Sequence, residues 1–330
     1  MKILKLLAVV LTLAAPLLAL QEVQSDALLL RQRKLGVMGT DLIIKVLGDD
    51  EAKLEVALDA AVFEIRRVED LMTDWRASPL MTLNAAAGKG PVKVPEELAI
   101  LIARGLELGE QTDGAFDITY AGAGQLWDFK ADPPKMPEAK ALALALARVD
   151  YRLVKVDLKA STVDLPEGMC IGLGGIAKGY GVDRAMAVLL EHKVKHGMVG
   201  AGGDLKLLGR KHGELWKVAI RHPRDRAQVL AMLPVSNTCV MTSGDYERFF
   251  DYEGKRYHHI LDPRTGYPAT GGMSATVIAQ DAAYADALAT ALCVLAPEEG
   301  LALVEKLPRV EALVVGLDGK VHYSTGLKDK

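Results

Sequence analysis

Aromatic residues are scarce, only 5% of the chain, and neither sign of charge dominates: 40 basic residues interspersed with 43 acidic ones leave a formal net charge of -3. Without a basic face or polybasic arm, and with few rings on which bases could stack, nucleic acid is excluded as a partner class. Cysteine is equally sparse. Cys170, Cys239 and Cys293 are odd in number, far apart and set among apolar neighbours, so they read as small buried hydrophobes rather than as a disulfide or a thiol nucleophile. No low-complexity tract or solenoid-length repeat occurs. What is abundant is apolar mass: 50% hydrophobic residues over a length of 330 can bury a sizeable core in one large or two modest domains.

Lys2 and Lys5 precede an apolar run from Leu6 to Leu20 broken only by Thr12 and Pro16, the pattern of an export signal. The run falls short of the about 20 residues of a comfortable membrane span, so an uncleaved anchor is the second reading. Residues 1–27 are therefore expected to be a signal peptide or N-terminal anchor, and the remainder, 28–330, a single exported, periplasmic domain. Pro133, Pro134 and Pro137 form the most linker-like stretch and leave open a division into two subdomains meeting near 133–150.

Periodicity predicts a β-rich start over Leu35–Leu47, then a long amphipathic helix from Glu51 to about Asp74, where Leu54, Leu58, Ala61, Ile65, Val68 and Met72 recur at helical spacing. A second helix follows Pro95, and an Ala/Leu helix spans Lys140–Arg148. The second half alternates: strands at Tyr151–Val156, Met169–Leu173, around Met198, Leu205–Leu208, Leu215–Ile220, Val229–Leu233, Arg256–Leu261 and Ser274–Ala279, helices at Ile176–His192, Ala282–Leu295 and Pro297–Leu307, and a terminal hairpin turned at Asp318-Gly319. This mixture is neither a βαβ series nor an all-β barrel; it predicts an α+β fold with mixed, mostly antiparallel sheets and packed helices.

Four segments could carry chemistry. Gly172-Leu173-Gly174-Gly175-Ile176-Ala177-Lys178-Gly179 follows an apolar stretch and opens a helix, where glycines admit phosphates to free N–H groups; a Rossmann fingerprint and a ligand-free tight turn are the competing readings. Gly200-Ala201-Gly202-Gly203-Asp204 is a second glycine cluster, also explicable as a hairpin or bulge. In His258-His259-Ile260-Leu261-Asp262-Pro263, adjacent strand residues face opposite ways, so one histidine can serve acid/base or phosphate chemistry while the other is structural. Asp286 and Thr290 lie four apart on an Ala/Leu helix, where buried oxygens need a partner; Mg²⁺ is one, and back-bonding to the helix is the other.

In order, these segments together with Met38-Gly39-Thr40, Thr73-Asp74-Trp75, Asp113-Gly114-Ala115-Phe116-Asp117 and Thr242-Ser243-Gly244-Asp245 resemble the FAD:protein FMN transferase (ApbE-like flavin transferase) family from about Leu35 to Val321. The resemblance implies an ApbE-like, T-fold-related architecture and a Mg²⁺-dependent enzyme that takes FAD as substrate. It would attach FMN to a Thr or Ser of an acceptor protein, an exported domain of a membrane redox complex, and release AMP. It further implies that Met38, Trp75, Ala115, Phe116, Asp117, Lys178 and Ile260 contact FAD. Asp286, Thr290 and the Gly175 carbonyl are the implied Mg²⁺ ligands, and His259 the acid/base group. The chain departs from the family pattern at Gly172, where many members carry aspartate, at Ala289, where some carry a second metal-ligating aspartate, and at Gly200, where asparagine is often seen. These departures keep two alternatives in view: an FAD-binding or storage protein without transfer activity, and an FAD pyrophosphatase.

Overall fold

The computed structural model describes residues 28–225 and 227–328; the expected signal or anchor segment lies outside the described residues. Strands β1 (Leu29–Val37) and β2 (Thr40–Gly48) precede helices α1 (Glu51–Met72) and α2 (Pro79–Ala85). There follow β3 (Val92–Lys93), α3 (Glu96–Gln111), α4 (Ala121–Gly124), α5 (Ala139–Leu146), β4 (Lys155–Asp157) and β5 (Thr162–Asp164). The second half runs α6 (Ala177–Glu191), β6 (His196–Ala201), β7 (Asp204–Leu208), β8 (Trp216–Arg221), β9 (Val229–Val235), β10 (Thr238–Gly244), β11 (Phe249–Tyr252) and β12 (Lys255–His258). It closes with β13 (Ser274–Ala279), α7 (Ala282–Val294), α8 (Pro297–Val304), β14 (Glu311–Val315) and β15 (Val321–Tyr323).

Eight strands form one sheet in the order β1-β2-β6-β7-β10-β13-β14-β15, every neighbouring pair antiparallel. Alternation along the strands sorts their side chains into two layers. Leu42, Ile44, Val46, Met241, Val277 and Val314 face the helices α1, α6 and α7, whereas Leu47, Val240, Leu313 and Val315 meet Trp216, Val218 and Ile220 of the β8–β9 hairpin on the other face. The helix-side core draws residues from Val37 to Val314, on both sides of the proline stretch. The fold is thus α+β, as the sequence pattern requires.

Three local readings change. The β-rich start is a hairpin, with Met38 and Gly39 at φ 51° and 70° making a two-residue turn whose handedness suits the strand twist. Met169–Leu173 is buried except at Cys170 and forms only a bridge from Cys170 to Tyr120, and the glycine turn begins at Gly174. Tyr151–Leu153 is a 3₁₀ turn capped by Asp150. Of the three cysteines, Cys239 and Cys293 are fully buried as expected, while Cys170 is half-buried.

Helices α6 and α7 cross at Gly179, where an added Cβ would penetrate the carbonyl oxygen of Ala282. Gly179→Ala should gain about 1 kcal/mol of helix propensity. It should lose more, up to ~3 kcal/mol, because two helices held by backbone contact must separate. The expected result is a net fall in the urea midpoint; an unchanged or raised midpoint would show that the crossing is loose.

Candidate active site

At the end of the sheet a cavity of about 430 Å³ opens between the β1–β2 turn, the α1–α2 loop, the start of α6, the end of β10 and one face of α7. Its size lies within the roughly 300–1,000 Å³ of small-molecule sites. All eleven residues singled out from the sequence line it: Met38, Trp75, Ala115, Phe116, Asp117, Gly175, Lys178, His259, Ile260, Asp286 and Thr290.

Their roles in the geometry differ. Lys178 sits in the first turn of α6, with its ammonium 2.6 Å from Asp204 Oδ2 and 2.8 Å from Asp286 Oδ1. Asp286 Oδ2 accepts the Gly179 N–H at 2.9 Å, and Asp204 Oδ1 accepts that of Thr242 at 2.9 Å. Both carboxylates are only 1% exposed. Burial would lower the Lys178 pKa, but the fields of Asp204 and Asp286 outweigh it and raise the ammonium above its ordinary range. Burial pushes the Asp286 carboxyl up, against the pull of Lys178. Two carboxylates against one ammonium leave an excess negative charge here, which favours a further cation.

Thr290 lies one turn below Asp286, as the four-residue spacing requires. Its hydroxyl donates to the Asp286 carbonyl at 3.2 Å and lies 3.2 Å from the Ser243 hydroxyl. Back-bonding and access to the cavity therefore coexist. An added Cβ on Gly175 would stand 3.5 Å from Thr290 Oγ1, so glycine keeps this corner open. Among the described residues no group of three or more His, Cys, Asp or Glu side chains could hold a metal alone. The oxygen donors offered by Asp286, Thr290 and the Gly175 backbone are hard, and so sparse a set suits Mg²⁺ completed by water and substrate phosphates.

The histidines separate, although the expected strand to Leu261 ends at His258 and His259 lies in the bend that follows. His258, 4% exposed, has Nε2 3.0 Å from the Ala269 carbonyl. The backbone N–H of His259 donates to the Arg248 carbonyl at 3.0 Å, and its ring lines the cavity with Nδ1 buried and unpartnered. Burial first, then the charges of Arg248 and Lys178, push the His259 pKa down from 6.5 to about 4, so the imidazole is neutral at pH 7 and able to accept a proton.

Met38 is buried in the β1–β2 turn, its N–H on Glu69 Oε1 at 2.6 Å, and Trp75 stands 61% exposed at the rim. Asp117 borders the cavity, yet its carboxylate is spent on backbone and hydroxyl groups of the protein, accepting from Thr119 N and Thr119 Oγ1 at 2.8 and 2.7 Å in its own loop and from Tyr151 N at 3.0 Å in the 3₁₀ turn. It shapes the loop that presents Ala115 and Phe116. Sequence reasoning gave Asp204 no role beyond closing the second glycine cluster and passed over Tyr120 and Arg248, all of which also line the cavity. Asp204 carried a signal, a carboxylate placed directly after the Gly202-Gly203 turn. The other two become visible only through tertiary contact.

The glycine turn is not a dinucleotide fingerprint: it follows no strand of a parallel βαβ unit, and the main sheet is antiparallel throughout. The model of the ApbE family matches residues 38–314. The chain is 36% identical over 313 residues to an FAD:protein FMN transferase of Treponema pallidum, covering 89% of this chain and 86% of that one. It is 35% identical over 284 residues to an FAD:protein FMN transferase of Klebsiella pneumoniae, covering 84% and 87%. Among solved structures, the ApbE protein of Thermotoga maritima superposes with a TM-score of 0.83 at 35% identity, covering 91% of this chain and 98% of that one. The apo form of the Pseudomonas stutzeri flavinyl transferase ApbE gives 0.79 at 29%, covering 90% and 95%. Motif order, fold and a cavity assembled from the same segments lead to one conclusion: the chain belongs to the ApbE family.

Proposed function

We propose that this protein is a Mg²⁺-dependent FAD:protein FMN transferase that attaches FMN from FAD, through a phosphoester, to a Thr or Ser hydroxyl of an acceptor protein and releases AMP. The observation that carries the reading is the convergence on one cavity of a neutral imidazole with a free ring nitrogen and an oxygen-rich, net negative corner around Asp286. The acceptor hydroxyl attacks the phosphorus that carries FMN while His259 takes its proton. The bond from that phosphorus to the oxygen bridging to AMP breaks, and AMP leaves. Lys178, anchored by both carboxylates, sets the start of α6, whose N-terminal end favours phosphate charge. Asp286, Thr290 and the Gly175 carbonyl would hold Mg²⁺, which when bound neutralises phosphate charge and orients the phosphates. The exposed Trp75 at the rim leaves the entrance open to a protein-borne hydroxyl. The export signal read in residues 1–27 fits a periplasmic acceptor, an exported domain of a membrane redox complex.

The test mixes the purified protein with FAD, Mg²⁺ and such a domain and follows acceptor mass and AMP with and without a chelator. The expected result is a mass gain of one FMN, matched by AMP and lost on chelation. AMP and free FMN without adduct would make the protein a pyrophosphatase; FAD uptake with neither product, on a second acceptor too, would make it a binding protein.

A further inference from the structure

Tyr120 stands at the head of α4 and is held beside the glycine turn by two backbone contacts, the Tyr120–Cys170 bridge and the Gly172 N–H on the Ile118 carbonyl at 2.8 Å. Its ring fills the space next to three glycines. An added Cβ would lie 3.5 Å from ring atom Cε1 at Gly172, 3.1 Å from Cε2 at Gly124 and 3.7 Å from the hydroxyl at Gly174. The atom that excludes a side chain at position 172 is the Ala121 Cβ, 2.9 Å from an added Cβ, and the Tyr120 ring lies at contact distance behind it.

The hydroxyl is the unexplained part. Tyr120 is half-buried and lines the cavity, and its hydroxyl hydrogen-bonds to no group among the described residues, which leaves it free to bind what enters. The N–H groups of Gly174 and Gly175 are likewise unbonded among the described residues, since the turn's hydrogen bonds come from Ile176 and Ala177, both donating to the Leu173 carbonyl. A hydroxyl and two amide donors therefore border one end of the cavity with nothing of the protein's own to bind. Burial, then the charge of Asp74, raises the phenol to about 12, so it stays protonated and can only gain by donating. Three donors, with the Arg248 charge set against that of Asp74, make a seat for an anionic oxygen.

We propose that Tyr120 is a nucleotide-binding residue of this chain, its hydroxyl donating, together with the Gly174 and Gly175 amides, to an anionic phosphate oxygen of FAD. The assignment rests on the reading of FAD as substrate. Tyr120→Phe removes the hydroxyl and keeps the ring that packs on the glycines. FAD and riboflavin, which lacks phosphate, are titrated by fluorescence into wild type and variant, with thermal unfolding of both in parallel. The expected result is a Kd for FAD raised about tenfold, the loss of one hydrogen bond to a charged acceptor, with riboflavin uptake and the melting temperature unchanged. An unaltered FAD Kd in the variant, or riboflavin weakened as much as FAD, overturns the phosphate assignment while leaving the transferase reading intact. A lowered melting temperature would make the hydroxyl structural. Failure of the wild type itself to bind FAD removes the transferase reading and this assignment with it.

Discussion

Replacing Asp286 by alanine should abolish the proposed Mg²⁺-dependent AMP release, lowering turnover by about a thousandfold or more, ~4 kcal/mol of transition-state stabilisation. The size follows from the corner's composition. Asp286 is the one carboxylate on the α7 face next to Thr290, so its loss removes the only anionic oxygen that this pair offers a cation. Stability should fall far less. Lys178 keeps Asp204 at 2.6 Å and its side chain is 30% exposed, so the stranded ammonium retains a partner and some water. The cost is that of a lost charged hydrogen bond, ~1–3 kcal/mol, rather than the ~3–5 kcal/mol of a fully orphaned buried charge. Asp286→Asn isolates the chemistry, since the amide oxygen still accepts from the Gly179 N–H. AMP release and thermal unfolding measured side by side on both variants decide the matter. Turnover in the asparagine variant within about tenfold of wild type, ~1.4 kcal/mol, would make the carboxylate a helix-joining group and nothing more.

What the sequence makes legible follows the range of the interactions involved. Asp286 and Thr290 stand out because a four-residue step on a helix is a local rule, and α1 and β8 are readable because one face of each is buried with a regular period. The central strand β10 escapes the same reasoning. Cys239, Val240 and Met241 are all buried, because the sheet is covered on both faces, and no alternation survives. The first hairpin hides for another reason: methionine is an unusual turn residue, and only Gly39 signals a positive φ. Within the site, the Lys178 ammonium joins carboxylates 26 and 108 residues away. No spacing rule reaches that far. Asp117 shows the converse, a motif residue that borders the cavity while its carboxylate ties its own loop to the turn at Tyr151.

His259→Ala should slow transfer by about 10²–10⁴-fold, the range of a positioned general base, while FAD affinity stays close to wild type, because the neutral imidazole contributes a proton site rather than charge. His258→Ala should do the reverse. It opens a small cavity and frees the Ala269 carbonyl, so it lowers the melting temperature and leaves transfer largely intact. The pH dependence gives a second readout. The folded pKa of His259 lies below its ordinary 6.5, at about 4, so the base form persists as pH falls, and the acid limb of kcat/KM belongs near 4. Between those two values the unfolded chain binds a proton that the folded site refuses. Stability from this group is therefore complete above about pH 6.5 and lost as pH drops towards 4, a slope that His259→Ala should flatten. Transfer rates, FAD titrations and unfolding curves of the two alanine variants between these pH limits separate the roles. A kinetic collapse in His258→Ala with normal transfer in His259→Ala would mean that the proton goes to His258, whose Nδ1 is also buried without a partner, and the His259 ring at the cavity would then have no part in the reaction.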